Sequence, residues 1–188
     1  AIDACAERSV FLKCENLQRV GAFKIRGATN AVLRLDDAVA ARGVVTHSSG
    51  NHAQALALAA RTRGIACHVV MPTNAPAVKR RATEGYGATI HPCEPTQAAR
   101  EAGARRVMPP FDHPDVIAGQ GTVALELLEQ VDGLDAVIVP VGGGGLLAGV
   151  TLALKEAAPR VRVFAAEPAG ADDAWRSKRR GERLPMVD

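Results

Sequence analysis

The sequence predicts an α/β fold built on mostly parallel sheets, and three observations support this prediction. Short β-branched or apolar runs alternate with longer segments along the 188 residues. In the longer segments apolar residues recur three and four positions apart, which is typical of helices. One run, 135–141 (DAVIVPV), is apolar almost throughout, which predicts a strand buried on both faces. Repeated strand–helix units join parallel strands through right-handed crossovers.

The predicted strands and helices alternate along most of the chain. The predicted strands are 10–15, 43–49, 66–72, 88–94, 135–141 and 161–168. The predicted helices are 22–35, 50–64, 75–87, 95–107, 118–131 and 142–159. In such sheets ligands bind at the carboxyl ends of strands, where loops meet helix N-termini. Three turns are therefore candidate binding loops: Ser48–His52, Gly142–Gly145 and Glu167–Asp173.

The composition indicates a folded protein without a membrane or nucleic-acid partner. Hydrophobic residues make up 47% of the chain and aromatic residues only 3%, so the core must consist of Ala, Val, Leu and Ile. The net charge of +3 is mild. The densest basic run, Arg176–Arg183, predicts a solvated surface; nucleic-acid binding is the weaker alternative because no aromatic residues interleave with it. No apolar run reaches membrane-spanning length.

The cysteines predict a cytoplasmic protein. Four are present, Cys5, Cys14, Cys67 and Cys93, and none has CxxC spacing. Their apolar contexts predict reduced core residues, and no signal peptide opens the chain. Of the histidines, His47, His68, His91 and His113 have no partners at ligand spacing, which predicts structural or surface roles.

The loop PVGGGGLL, Pro140–Leu147, has four glycines between a predicted strand and a predicted helix. Glycines let backbone N–H groups approach an anion closely, and a helix N-terminus favours negative charge. The loop lacks the GxGxxG pattern of dinucleotide sites and the GK[ST] of P-loops. A flexible turn is the alternative, but four glycines would then weaken the fold without gain. We therefore predict a phosphate-binding loop.

A second turn, HSSGNHAQ, also joins a predicted strand to a predicted helix. Its free N–H groups suit a carboxylate, and the Asn51 amide can bond a phenolic or hydroxyl oxygen. Ser48 and Ser49 can equally serve as helix caps, and that alternative stays open.

A lysine stands beside an aromatic residue in the stretch GAFKIRGATNA, where Lys24 follows Phe23. Lys24 is either a solvated cation on a helix or a nucleophile that holds a cofactor. A lysine amine forms a Schiff base with an aldehyde, and a neighbouring ring can cover a pyridine face. A phosphate loop, a carboxylate turn and such a lysine are together what a pyridoxal phosphate enzyme needs.

Five stretches resemble the fold-type II pyridoxal phosphate enzymes, and within them the serine racemase and threonine dehydratase group. They are FLKCENLQRVGAFKIRGATNA, SSGNHAQALA, VIAGQGTVALELLEQ, VGGGGLLAG and AAEPAGADDAWRSKRRGE. The resemblance implies that Lys24 carries the cofactor and Phe23 lies against its ring. It further implies that Asn51 bonds the 3′-oxygen, that Gly142, Gly143, Gly144, Gly145 and Leu146 hold the phosphate, and that Ser48, Ser49, Asn51 and His52 meet the substrate.

The residue before Gly-Asn-His separates the members of this group. Dehydratases of the group usually have Ala there and serine racemases have Ser; here it is Ser49. Inversion needs a proton taken from one face and returned on the other, so Lys24 and Ser49 are the predicted catalytic pair. The resemblance implies racemisation of a small hydroxy amino acid, serine, with α,β-elimination as a side activity. The alternatives are a threonine/serine dehydratase and a pyridoxal phosphate-binding fragment without turnover.

The stretch EPAGADD predicts a metal site. Two carboxylates with a carbonyl between them are hard oxygen ligands that suit Mg²⁺ or Ca²⁺. The resemblance assigns them to Glu167, the Ala171 carbonyl and Asp173; an acidic surface loop is the alternative. The group also has a nucleotide effector site, which Gln54 matches and from which Arg19–Val20 depart.

The resemblance also implies two lobes with the cofactor in the cleft between them. The small lobe is predicted at 43–110, and the large lobe at 1–42 and 111–188. The family usually forms a homodimer. The chain lacks the segment that precedes VFLKCE in the family and stops after GERLPMVD, so we expect a truncated chain with an exposed sheet edge and an exposed apolar face. One strand of the family is reduced to Val107–Met108.

Overall fold

The computed structural model describes residues 2–96, 108–109 and 111–185. Its helices are α1 (Ile2–Ala6), α2 (Lys24–Leu33), α3 (Asp37–Ala40), α4 (Asn51–Arg63), α5 (Ala77–Gly85), α6 (Pro114–Gln130), α7 (Gly145–Ala157) and α8 (Asp173–Arg180). Its strands are β1 (Val44–His47), β2 (Cys67–Pro72), β3 (Thr89–Cys93), β4 (Ala136–Pro140) and β5 (Arg162–Ala166). The predicted α/β class is confirmed, and the predicted helix 95–107 lies almost wholly outside the described residues.

The strands form two sheets, and all pairings are parallel, as predicted. One sheet has the order β1-β2-β3 and the other pairs β4 with β5. The remnant strand predicted at 107–108 is represented by Met108, whose N–H donates to the Val45 carbonyl at 2.8 Å along the outer edge of β1. Val107 lies outside the described residues.

Each sheet is packed against helices through its own core. In the first core, β1 and β2 pack on α4, and α2 packs on the other side of α4; Val32, Leu56, Val69 and Met71 are fully buried there. In the second core, β4 and β5 pack on α6 and α7. The predicted small lobe, 43–110, contains the whole first sheet. The helix α2 lies outside that range but packs in the first core, and the division into two lobes stays a prediction.

Glycines allow the helices next to the site to cross closely. A Cβ on Gly27 of α2 would lie 2.6 Å from the Val116 carbonyl oxygen of α6, and a Cβ on Gly119 would lie 2.6 Å from the Arg26 carbonyl oxygen. The Gly27 N–H donates to the buried Gln120 side chain at 3.2 Å. These contacts set the position of α2, and with it the position of Lys24.

Three sequence predictions are wrong. No strand is present at 10–15, because Phe11 and Leu12 are exposed and find no partner strand among the described residues. The run 135–141 is not buried on both faces: Ile138 is 72% exposed and pairs in register with the exposed Phe164, which agrees with the expected apolar face. Cys67 is buried and Cys93 half-buried, but Cys5 and Cys14 are exposed rather than in the core.

Within the described part of the chain, no helix is long and apolar enough to cross a membrane.

Candidate active site

Lys24 is the first residue of α2, and its side chain lies between two aromatic rings. The Nζ atom is 5.2 Å from the centre of the Phe23 ring and 5.9 Å from the centre of the Phe111 ring. Burial lowers the pKa of the Lys24 amine below its ordinary value, because the charged form loses solvation. A larger fraction of the amine is therefore neutral and nucleophilic at a given pH.

The glycine loop lies opposite Lys24, between the end of β4 and the start of α7. Gly144 has φ +81°, a left-handed conformation that side chains rarely adopt. Within the described residues, the backbone N–H groups of Gly142, Gly143 and Gly144 donate no hydrogen bond. Donors of this kind at the start of a helix form an anion site, since the helix dipole adds to them.

Phe111 is a site residue that the sequence analysis missed. Its ring lies directly over the loop: a Cβ on Gly143 would lie 2.3 Å from the ring, and a Cβ on Gly145 would lie 2.8 Å from the Phe111 carbonyl oxygen. Only glycine at positions 143 and 145 leaves room for Phe111. No local pattern around Phe111 signals this role, because the contact spans more than thirty residues of chain.

Together these residues enclose one cavity of about 310 Å³. Its walls combine two aromatic rings, the end of β4, the glycine loop and one primary amine. The lining residues are Phe23, Lys24, Phe111, Pro140, Val141, Gly142, Gly143, Gly144, Gly145 and Leu146. The structure therefore brings together the predicted lysine, the predicted aromatic neighbour and the whole predicted phosphate loop.

An ion network anchors the start of α2 to α6. The Arg26 guanidinium donates to both carboxylate oxygens of Glu15 at 2.8 Å and to both of Glu126 at 2.7 Å, and also to the Thr122 hydroxyl at 3.0 Å. The hydrogen bonds from Arg26 and Lys13 lower the pKa of Glu126 to about 2. The hydrogen bonds to Glu126 and Glu15 raise the pKa of Arg26. This network holds the helix whose first residue is Lys24.

The serine turn between β1 and α4 is built differently from the glycine loop. The Ser48 hydroxyl accepts the N–H of Gly50 at 3.2 Å, and the Ser48 N–H donates to the Val70 carbonyl at 3.3 Å. Ser49 is half-buried, and among the described residues its hydroxyl makes no hydrogen bond. Asn51 is exposed at the first position of α4. Ser48 therefore has a local structural role, and the predicted roles of Ser49 and Asn51 stay predictions.

His52 is buried beneath this turn, with 3% of its surface exposed. Its Nε2 lies 3.0 Å from the Met108 carbonyl oxygen, so we assign the proton to Nε2 because a carbonyl only accepts. Nδ1 has no partner within the described structure. Burial lowers the pKa of His52 to about 4, and the nearby Lys24 charge acts in the same direction. His52 is thus a neutral ring on the Lys24 side of the serine turn.

The predicted metal ligands lie at the start of α8. The Glu167 carboxylate accepts the N–H of Ala174 at 3.1 Å and that of Trp175 at 2.9 Å, which caps the helix. Asp173 is the first residue of α8. Among the described residues, no three His, Cys, Asp or Glu side chains form a metal-binding group. The predicted set has only two carboxylates and a carbonyl, so the metal site stays a prediction.

The cavity suits pyridoxal phosphate on chemical grounds. A nucleophilic amine, a loop of unpartnered N–H groups and two aromatic walls are the partners of an aldehyde, a phosphate and a pyridine ring respectively. A side chain on Gly143 would collide with the Phe111 ring, which is one of these walls.

Comparison with known proteins supports this assignment. The family described as pyridoxal-phosphate dependent enzyme matches residues 2–188. The serine racemase of Dictyostelium discoideum is 51% identical over 189 residues, which cover 96% of this chain and 58% of that protein. The beta-hydroxyaspartate dehydratase of Paracoccus denitrificans is 56% identical over 180 residues, which cover 92% of this chain and 57% of that protein.

The structure of maize serine racemase superposes with a TM-score of 0.95 at 48% identity, over 100% of this chain and 60% of that one. The chain thus spans somewhat more than half the length of these relatives. The likeness covers both sheets, the lysine helix and the glycine loop. The chain belongs to the family of pyridoxal-phosphate-dependent enzymes.

Proposed function

We propose that this chain carries the catalytic residues of a serine racemase, with α,β-elimination of serine as a side activity. One observation carries the proposal. Ser48 already caps the turn, whereas the half-buried hydroxyl of Ser49 makes no hydrogen bond among the described residues and is available for chemistry. The relatives named serine racemase support the same activity.

Each part of the site is proposed to bind a different part of the cofactor or substrate. Lys24 is the covalent attachment point, Gly142–Gly145 and Leu146 hold the phosphate, and Phe23 and Asn51 contact the ring and its 3′-oxygen. The N–H groups of the serine turn that are not already bonded within the described structure, those of Ser49, Asn51 and His52, bind the carboxylate of the amino acid. When bound, pyridoxal phosphate supplies an electron sink that acidifies the α-hydrogen of the amino acid.

Two groups then move the α-proton. The Lys24 amine takes or returns it on one face, helped by the lowered pKa that keeps the amine partly neutral. The Ser49 hydroxyl takes or returns it on the other face. If the β-hydroxyl leaves instead, the product is a keto acid and ammonia.

A dehydratase is the second candidate, and the relative named beta-hydroxyaspartate dehydratase favours it. In that case Lys24 alone moves the proton and Ser49 has only a structural role. A pyridoxal phosphate-binding chain without turnover is the third candidate, since the chain spans 58% of the Dictyostelium relative.

The experiment that separates these candidates compares Ser49→Ala with the parent protein loaded with pyridoxal phosphate. Chiral chromatography follows serine inversion, and a coupled assay follows pyruvate. We expect inversion to fall ~10²–10⁴-fold, the usual contribution of a general acid–base group, and elimination from one enantiomer to fall much less. Ser48→Ala is the matched control, because it removes a hydroxyl that only caps the turn. Equal losses of both activities in Ser49→Ala would favour the dehydratase.

The metal site extends this proposal to Glu167, the Ala171 carbonyl and Asp173, which would bind Mg²⁺ or Ca²⁺. Each Glu167 oxygen accepts one N–H and keeps a second lone pair for a metal. Saturating Mg²⁺ should raise the melting temperature by linkage, and Asp173→Asn should remove that response while the neighbouring Asp172→Asn keeps it. An unchanged melting temperature would indicate a plain acidic loop.

The assembly is proposed on the resemblance, and the cellular location on the spacing of the cysteines. The protein is proposed to be a cytoplasmic homodimer, which light scattering on the cofactor-loaded protein would test. A nucleotide effector that contacts Gln54 is part of the proposal drawn from the resemblance. The resembled group usually has a Lys–Thr pair where this chain has Arg19–Val20, which predicts weaker effector binding here.

A further inference from the structure

Two histidines that are far apart in sequence meet on one face of the three-stranded sheet. His68 lies in β2 and His91 in the neighbouring β3, where Val70 is the register partner of His91. His68 Nδ1 and His91 Nε2 are 3.0 Å apart, and the ring centres are 5.1 Å apart. His91 is exposed and His68 half-buried. The sequence analysis assigned both residues structural or surface roles because no ligand spacing connects them.

The distance between the two nitrogens is informative about chemistry. In the hydrogen-bonded pair, one nitrogen donates its proton and the other accepts it. If that proton moves to the other nitrogen of its own ring, both lone pairs become available and both imidazoles stay neutral. A hydrogen-bonded imidazole pair is therefore close to a two-nitrogen metal chelate, since neutral imidazole is the commonest metal ligand in proteins.

The same distance can be compared with the nitrogen–nitrogen separations that metal sites require. Nitrogens about 2.0–2.1 Å from a metal are roughly 2.9 Å apart when they subtend a right angle, and roughly 3.4 Å apart at a tetrahedral angle. The separation of 3.0 Å is that of an ordinary hydrogen bond and lies close to the right-angle value, so the two nitrogens need to move little to chelate a tetragonal ion such as Ni²⁺ or Cu²⁺. The two rings are inclined by 47°, so binding one metal ion requires the side chains to rotate until both lone pairs point at it.

We propose that His68 and His91 form a binding site for a tetragonal divalent transition-metal ion, Ni²⁺ or Cu²⁺, with water in the remaining positions. Within the described ranges no third His, Cys, Asp or Glu completes the set, so the site is open and exchangeable. Its nitrogen ligands distinguish it from the oxygen ligands at Glu167 and Asp173. Bound metal would join β2 to β3 and stabilise the sheet by linkage.

The test titrates untagged, cofactor-loaded protein with Ni²⁺ in a buffer with excess Mg²⁺, which occupies oxygen-ligand sites. Calorimetry should give one Ni²⁺ site per chain. His68→Gln and His91→Gln should each weaken it more than ~10-fold, the lower end of what outer-sphere changes alone produce at metal sites. The double variant should lose little more than either single one, because one nitrogen alone cannot chelate.

His113→Asn is the matched control. His113 caps α6 by accepting the Asp115 N–H, and Asn keeps a capping acceptor while removing an imidazole. Ni²⁺ binding should be unchanged in it. Binding that survives in both His68→Gln and His91→Gln, or that falls equally in His113→Asn, would overturn the proposal and leave a proton-sharing histidine pair. Tighter binding of Zn²⁺ than of Ni²⁺ would overturn the geometric argument.

Discussion

The two strand-to-helix turns of the site occupy equivalent places in the fold but are built in opposite ways. The turn from β1 to α4 carries hydroxyls, Ser48 and Ser49, and the Ser48 hydroxyl accepts a hydrogen bond from the Gly50 N–H within the turn. The turn from β4 to α7 carries no side chain from Gly142 to Gly144 and has a left-handed residue at its end. Both place backbone N–H groups at the carboxyl end of a parallel strand.

The two turns therefore differ in the chemistry that they can support. The glycine loop can only bind, since it offers N–H groups and no acid or base. The serine turn can bind and also move a proton. The glycine loop is moreover required by a distant neighbour, because the Phe111 ring occupies the space of a side chain on Gly143. Lys24 lines the same cavity as the glycine loop, so under the proposed function each side of the site would have one proton-moving group.

The largest expected effect comes from Lys24→Ala. Without the amine, the glycine side has a phosphate loop but no attachment point, so we expect complete loss of activity and of the visible absorbance of bound cofactor. Circular dichroism should show an intact fold. The matched control Lys79→Ala removes an exposed lysine of α5 and should change neither readout. Borohydride reduction followed by peptide mapping should mark Lys24, and a mark on another lysine would contradict the assignment.

The next prediction compares how Gly→Ala substitutions in the two turns change the free energy of unfolding. Gly143→Ala places a Cβ 2.3 Å from the Phe111 ring, so we expect a loss of about 1–3 kcal/mol in the free energy of unfolding, typical of overpacking. In Gly142→Ala and Gly50→Ala the new Cβ meets no atom within 4 Å, and the loss should be small. Urea unfolding of the cofactor-free variants measures all three. Similar losses at Gly143 and Gly142 would mean that Phe111 does not dictate the loop.

A smaller effect concerns the ion network of Arg26 with Glu15 and Glu126, which anchors α2. Among the described residues the serine turn has no such network. The pKa of Glu126 is lowered to about 2, so its contribution to stability is present above the ordinary Glu range near ~4.3 and is lost as pH falls toward 2. We expect on the order of 1 kcal/mol, because the Glu126 side chain is 40% exposed and solvent screens the pair.

Urea unfolding between pH 7 and pH 3 measures this contribution. The parent protein should lose stability more steeply than Glu126→Gln over the acid part of that range. Glu129→Gln, an exposed neighbour on α6, should follow the parent. Parallel curves for the parent and Glu126→Gln would mean that the network does not stabilise α2.

The sequence predicts local features of this molecule well. Periodicity and glycine placement located β1 to β5 and the longer helices, because each of these depends on neighbouring residues. The glycine loop and Lys24 were recognisable because each is marked by residues that are adjacent in the sequence, the four consecutive glycines and the Phe23–Lys24 pair. The structure brings them into one cavity.

The sequence misses what depends on distant partners. Phe111 contacts Gly143 across the fold, and His68 meets His91 only because β2 and β3 pair in a particular register. The run 10–15 looks like a strand, but a strand needs a neighbour with free backbone groups and this run finds none among the described residues. Apolar runs likewise do not reveal which of their faces is covered, as Ile138 shows.

If Lys24 and Ser49 each serve one face of the substrate, hydrogen exchange in heavy water should separate their roles. In Ser49→Ala, Lys24 should still remove and return the α-hydrogen of one serine enantiomer, and the hydrogen returned would be deuterium because the amine exchanges with solvent. We therefore predict deuterium in that enantiomer, seen by NMR, without formation of the other, seen by chiral chromatography. Exchange and inversion that fall by the same factor would contradict the claim, because one group would then serve both faces.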